Sequence, residues 1–225
     1  MLEKQHNAIL PSSFFDRPAT EVAPDLLGRW LVREWAEGVS AGVIVETEAY
    51  MQDDPAFHAW GVVDPPSGLI KPTGRAYDLF GPPGTAYVYL CYGVHWLLNV
   101  VTEREGVPGC VLIRGLQPVN GIEALFRNRP RITSVVNLTN GPGKLTSAFG
   151  IDKRHHGTDI TQPPLYFATP RDFETPAIQT SSRIGISRAV DRQWRYYMTN
   201  NSFVSPGTPS DVTADRRKKR RRAPL

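Results

Sequence analysis

The run Val45-Glu46-Thr47-Glu48-Ala49-Tyr50 sets two carboxylates and a phenol within five positions of one another. β-branched residues alternating with polar ones predict a strand, in which successive side chains point to opposite faces. Ile44, Glu46, Glu48 and Tyr50 then share one face, and Val43, Val45, Thr47 and Ala49 the other. A carboxylate that stays ionised at neutral pH is a natural proton acceptor, so this face has the makings of a general base beside an aromatic wall. A half-buried strand with a solvated charged face fits the same six residues.

A second group lies further along. Tyr87, Tyr89 and Cys91 fall on one face of a predicted strand, Leu97, Asn99 and Val101 on one face of the next, and Cys110, Leu112 and Arg114 on one face of a third. Tyrosine-rich strands ordinarily use their rings for core packing and cross-strand pairs. Tyr92 is different. It precedes Gly93 at the hairpin turn, poorly placed for a core and well placed to insert between stacked bases.

The elements that must position these groups are short. Glycine and proline number 19 and 20 in 225 residues, enough to break the chain often. A short helix is expected within residues 18–28, closed by Gly28, then strands over 30–34 and 41–50. Residues 51–84 lack a sustained period and read as a long functional loop. The hairpin 85–91 and 95–102 follows, with a further strand over 110–116. Helices are expected over 119–129, capped by Asn120 and stopped by Pro130, and after Gly141-Pro142-Gly143, running through Leu145 to Phe149. Residues 152–182 read as loop, and 183–187 and 194–198 as strands. The fold class is α+β, a single domain with a mainly antiparallel curved sheet, a protruding hairpin and surrounding helices.

Composition bounds the function. Hydrophobic residues at 40% and charged residues at 21% are those of an ordinary soluble domain. No apolar run is long enough for a bilayer, so no membrane partner is expected. The first dozen residues hold Glu3, Lys4 and His6 with no apolar stretch, against a secretory leader. Cys91 and Cys110 lie in apolar runs without a third cysteine, as reduced core thiols and not as metal ligands. The net charge of +4 is uneven: residues 211–225 hold seven cations and two acids, a balance of +5, which leaves −1 for the remainder. A nucleic-acid partner would therefore need a segregated basic face. Three regions follow: an irregular segment 1–17, a domain over 18–205, and a disordered basic tail over 206–225.

The ordered set of motifs resembles the alkyladenine (3-methyladenine) DNA glycosylases of the mammalian-type, non-helix-hairpin-helix class. It is carried by VETEAY at 45–50, FHAW at 57–60, GPPGTAYVYLCYG at 81–93, LLNVV at 97–101, CVLIRGLQP at 110–118, NGPGKLTSAFGI at 140–151, RIGIS at 183–187 and WRYY at 194–197. The resemblance implies a monofunctional glycosylase that swings a damaged purine out of double-stranded DNA and hydrolyses its N-glycosylic bond, as a monomer, with no metal and no cofactor. Glu48 matches the general base and Arg114 the residue that holds it and the attacking water. Tyr50, His58 and Tyr89 match the walls of the base pocket, Leu112 a packing residue beneath it, and Asn99 the filter against the 2-amino group of guanine. Tyr92 matches the wedge that fills the gap left by the flipped nucleotide; Lys144, at the start of a predicted helix, is placed to meet a phosphate together with the backbone amides there. Glu46 takes a supporting role.

Two departures border the pocket mouth. Residues 61–80 form a longer loop without the family's basic, asparagine-containing stretch, and Trp60 stands where the family often has a smaller or polar residue. They bear on lesion range and DNA affinity, not on hydrolysis. A lyase reaction would need an amine nucleophile, which the matched pocket does not contain. The place of action is cytoplasmic and nucleoid-associated in a bacterium, nuclear in a eukaryote. The competing classes are a non-catalytic nucleic-acid-binding domain, whose fold the family shares with a tRNA formyltransferase domain, and a hydrolase of free nucleosides.

Overall fold

The computed structural model describes residues 8–62 and 74–215. In chain order these form β1 (Ala8–Ile9), α1 (Ser12–Phe15), α2 (Ala19–Asp25), β2 (Trp30–Trp35), β3 (Gly38–Met51), a 3-10 segment (Gly74–Phe80), β4 (Ala86–Cys91) and β5 (His95–Val101). Then come β6 (Gly109–Asn120), α3 (Ile122–Asn128), α4 (Val135–Thr139), α5 (Pro142–Ala148), a 3-10 turn (Lys153–His155), β7 (Thr161–Gln162), β8 (Leu165–Thr169), β9 (Ile178–Ser181) and β10 (Arg195–Met198).

The strands make one antiparallel, unclosed sheet in the order β1-β8-β2-β3-β6-β5-β4, with β10 pairing β3 and β9, and β7 pairing β8. The fold is α+β in a single domain, as the alternation of short strands and helices implied. β3 is the hub because it is long enough for two partners on one edge. Its first half pairs with β2 and its second half with β10, while β6 follows it throughout.

Alternation sorts the sheet into two faces. Val88, Leu98, Val100, Val111 and Ile113 pack with Val22, Leu26, Leu145 and Phe149 in the main core beneath α2 and α5. Each fully buried side chain of this kind stabilises by about 1.5–3 kcal/mol. Their neighbours Tyr87, Val101 and Cys110 point the other way, into a second cluster with Phe57, Leu79 and Phe80. The candidate site residues stand on that second face.

The strict alternation expected over 43–50 breaks at one point. The β3–β6 register slips between Ile44 and Glu46 and slips back between Glu46 and Thr47. Val45 on β3 and Arg114 on β6 are thus left without partners opposite, the pattern of two compensating bulges. Ile44 consequently joins Ala49 in the main core, not the face of Glu46, Glu48 and Tyr50.

Other expectations change with the fold. Residues 8–17 are not irregular: they hold β1 and α1, and Phe15 is fully buried in the core. The helix expected from Val119 begins at Ile122, because β6 continues through Asn120 and Gly121 turns the chain at φ 62°. A Cβ there would sit 2.4 Å from the Val39 carbonyl oxygen. Within 152–182, β8 forms beside β2 and buries Leu165 and Phe167; at five residues, preceded by Pro163-Pro164, it was too short to show a period. Residues 183–187 make an irregular strap and no strand, since the chain turns at Gly185 with φ 79°. Residues 206–215 are not a disordered tail. Pro209 bridges Ile184, and 210–215 are helical. The cationic residues 216–222 lie outside the described residues, as do 63–73 of the loop over 61–80.

Candidate active site

The second half of β3 lies between β6 and β10, so Glu48 faces Leu112 on one side and Arg195 on the other along the backbone. Its side chain is wholly buried and held at both oxygens. Oε1 accepts from the Ile184 amide at 2.7 Å and pairs with Arg114 Nη1 at 3.2 Å. Oε2 accepts from the Tyr50 hydroxyl at 2.8 Å. Each carboxylate oxygen accepts in two directions, so Oε2 retains one acceptor position after these contacts.

The bulge aims Arg114 at two carboxylates at once. Its Nε donates to Glu46 Oε1 at 2.9 Å while Nη1 reaches Glu48. Glu46 also accepts from Arg195 Nε at 2.7 Å, from the Ser205 amide at 2.6 Å and from the Ser205 hydroxyl at 2.8 Å. Burial alone would raise the Glu46 carboxyl, but Arg114 and Arg195 outweigh it and hold it below its ordinary value. Burial would likewise lower Arg114, and the Glu48 and Glu46 carboxylates carry it above the ordinary arginine value instead. Arg114 is thus a fixed positive charge at the floor of the site.

Above this floor opens a cavity of about 910 Å³, walled by Tyr50, His58, Tyr89, Asn99, Leu112 and Arg114, with Tyr92 and Lys144 also on its lining. Glu48 itself stands one contact behind the wall, reached through Tyr50, Arg114 and Ile184. The rings are set across one another: His58 meets Tyr89 edge-on at 4.7 Å between centroids, and Tyr87 tilts against Tyr89 at 5.5 Å. His58 Nδ1 lies 2.9 Å from the Tyr87 hydroxyl, which fixes the imidazole. Asn99 donates to the Tyr87 carbonyl at 3.0 Å, and Cys110 Sγ lies 3.7 Å from its Oδ1, so its amide is oriented. Burial, then the Glu48 charge, push the Tyr50 phenol well above its ordinary value, and burial does the same for Tyr89. Both stay neutral. Burial also raises the Cys110 thiol, which leaves it a poor nucleophile.

Tyr92 occupies the tip of the β4–β5 hairpin with 92% of its surface exposed. Both it and Gly93 have positive φ, 50° and 71°, and the Val94 amide donates to the Cys91 carbonyl at 3.0 Å. Lys144 donates to Asn140 Oδ1 at 2.7 Å; partial burial and the nearby Arg129 lower its pKa. It is a lysine on the cavity wall, where none was expected among the pocket residues proper. Among the described residues, no cluster of three His, Cys, Asp or Glu side chains is arranged to hold a metal ion.

Several contributors carried no signal in the sequence. Arg183 is fully buried, forms an ion pair with Asp54, and lies 4.5 Å from the centre of the Tyr50 ring. The Ile184 amide acts from a segment expected as a strand, and Ser205 from a distant stretch with no expected element. Only the RIGIS string, matched as a motif and not as a site, pointed toward this region.

A profile for the family described as methylpurine-DNA glycosylase matches residues 13–202. The chain belongs to the methylpurine-DNA glycosylase family. Over 203 residues it is 53% identical to a protein of Salinibacter ruber named "Putative 3-methyladenine DNA glycosylase", covering 89% of this chain and 98% of that one. Proteins of the same name from Rhodopseudomonas palustris strain HaA2 and Prosthecochloris aestuarii are 46% and 42% identical, over 85% and 91% of this chain and 88% and 94% of theirs. Family membership makes the reaction a hydrolytic DNA N-glycosylase step in DNA repair, as the motifs implied.

Proposed function

We propose that this glycosylase acts as a monomer on alkylated or deaminated purines in double-stranded DNA, with Glu48 as the general base. The observation that carries the reading is the Glu48 carboxylate, tied down by Arg114, the Ile184 amide and Tyr50, with one acceptor position left on Oε2 beside an aromatic cavity. A water bonded to that position loses a proton to Oε2 as its oxygen bonds to C1′ of the deoxyribose. The C1′–N bond breaks, its electron pair leaves with the purine, and an abasic sugar remains. Arg114 holds the carboxylate in place throughout.

The cavity residues account for substrate choice. Tyr50, Tyr89 and His58 offer aromatic surfaces that accept any purine, with stacking worth about 1–3 kcal/mol per base. Alkylated purines are electron-poor, which strengthens stacking on a neutral phenol ring. The oriented Asn99 amide disfavours the 2-amino group of guanine, and Leu112 supports the base from below. Tyr92 enters the duplex where the nucleotide has left, and Lys144 takes a backbone phosphate. Given bacterial relatives, the enzyme works at the nucleoid.

The test is excision from oligonucleotides each carrying one damaged purine. Glu48→Gln is expected to keep its affinity for damaged duplex and lose about 10²–10⁴ of the single-turnover rate. Wild-type rates in that variant remove Glu48 as the base. Borohydride trapping of a protein–DNA adduct would replace water by an amine, with Lys144 the lysine to examine.

A further inference from the structure

We infer that residues 203–211 form a positioning strap for the proposed base, acting through Ser205 and through the clasp between Ser182 and Asp211. This inference rests on Glu48 being the base. The segment runs directly over the buried charges. A Cβ on Gly115 would lie 2.8 Å from the Phe203 carbonyl oxygen, and one on Gly207 would lie 2.9 Å from the Ile184 side chain. Approach this close is possible because both positions lack a side chain.

Two chains of contacts lead from the strap to Glu48. In the first, the Ser205 amide and hydroxyl both bond Glu46, and Arg114 Nη2 reaches the Ser205 hydroxyl at 3.4 Å. Glu46 in turn orients Arg114, whose Nη1 meets Glu48. In the second, the Ser182 hydroxyl donates to Asp211 Oδ1 at 2.7 Å and accepts from the Asp211 amide at 3.1 Å. The Ser210 amide donates to the Arg183 carbonyl at 3.0 Å, and the Ile186 amide donates to the Ser210 hydroxyl at 3.2 Å. These bonds bracket Ile184, whose amide is the shortest contact to Glu48 Oε1.

The two chains converge on Oε1, and each ends on a donor that keeps that oxygen occupied. Oε2 is thereby left as the oxygen that takes the proton. A loosened strap frees Arg114 and the Ile184 amide to drift, and the carboxylate loses its aim at C1′. Ser205, Ser182 and Asp211 are positioning residues in this scheme. Ser182 and Asp211 are not among the residues that line the cavity.

The experiment compares wild type, Ser205→Ala and Ser182→Ala in single-turnover excision, in affinity for a duplex holding an uncleavable abasic analogue, and in thermal melting. Ser205→Ala deletes the hydroxyl's bonds to Glu46 and Arg114, and Ser182→Ala the bond to the Asp211 carboxylate; the expected loss of rate is about 10- to 100-fold in each. Affinity is expected to stay within about threefold, because an abasic duplex presents no base to the cavity that Ser205 lines, and Ser182 lies off that lining. Ser205→Thr, which restores the hydroxyl, is expected to recover most of the rate. Rates within about twofold of wild type in both alanine variants, with the fold intact by melting, overturn the strap. A rate loss matched by an equal loss of affinity overturns it too, since that is the mark of a general structural defect. A wild-type protein that excises no lesion removes the proposed function itself, an outcome distinct from either.

Discussion

Asp54 and Arg183 are both fully enclosed, and their pairing links two stretches of chain that the site needs together. Asp54 Oδ1 accepts from Arg183 Nη2 at 2.9 Å and from the Ala56 amide at 3.0 Å, which anchors the loop carrying His58. Arg183 Nη1 also donates to the Ala49 carbonyl at 3.0 Å, next to Glu48 in the chain. Burying two charges is expensive, so the pair is poor evidence of stability gained; removing one partner is the costly change. Asp54→Asn is expected to lower unfolding free energy by about 3–5 kcal/mol, read from the urea midpoint. A midpoint unchanged from wild type would mean that the guanidinium finds another partner.

The β4–β5 hairpin spends conformational energy on its tip. A non-glycine residue in the left-handed region is strained by about 1–2 kcal/mol, and Tyr92 adds a large exposed ring to that strain. Neither feature helps the fold, which agrees with the proposed role of a wedge in DNA. Tyr92→Ala keeps the same backbone strain and loses no buried contact, so its stability is expected to match wild type within about 0.5 kcal/mol. Excision from a fully paired duplex should fall sharply. The fall should shrink when the lesion stands opposite a mismatch, because unpairing then needs less of the few kcal/mol that the wedge must hold. Melting curves and single-turnover rates on the two duplexes check both halves.

Across the whole molecule, charge is distributed against the simple reading of a basic DNA-binding protein. Residues 216–222 carry seven consecutive cations, so the rest of the chain is net negative. The helical stretch 210–215 that leads to them shares a groove with the wedge: Thr213, Ala214 and Tyr92 line it together. The described residues therefore end near the proposed DNA-facing side. Deleting 216–225 is expected to weaken binding to undamaged duplex and to flatten its salt dependence by about 0.9 in log–log slope for each phosphate no longer neutralised. The single-turnover rate at saturating protein should not change. An unaltered salt slope would leave the cations without a part in DNA binding.

Much of the site was legible because alternation along a strand is a local rule. It groups Tyr87 with Tyr89, and Leu112 with Arg114, each pair on one face of its own strand; the pairing of β4, β5 and β6 brings them together with Asn99 around one cavity. Tyr92 stood out by its place before Gly93. The paired bulges were not legible, since Val45 and Arg114 lose their partners only when β3 and β6 meet in a particular register. The Ile184 amide is 136 residues from Glu48, and the Ser205 amide 159 from Glu46. Backbone donors have no side-chain signature. The order of residue types alone thus determined that Glu46, Glu48 and Tyr50 share a strand face and that Tyr92 stands at a hairpin tip, while the choice of Glu48 as candidate base came from the family resemblance. Tertiary structure decided which donors hold that carboxylate, because bonds between remote backbone and side-chain groups exist only once the strap has closed over the sheet.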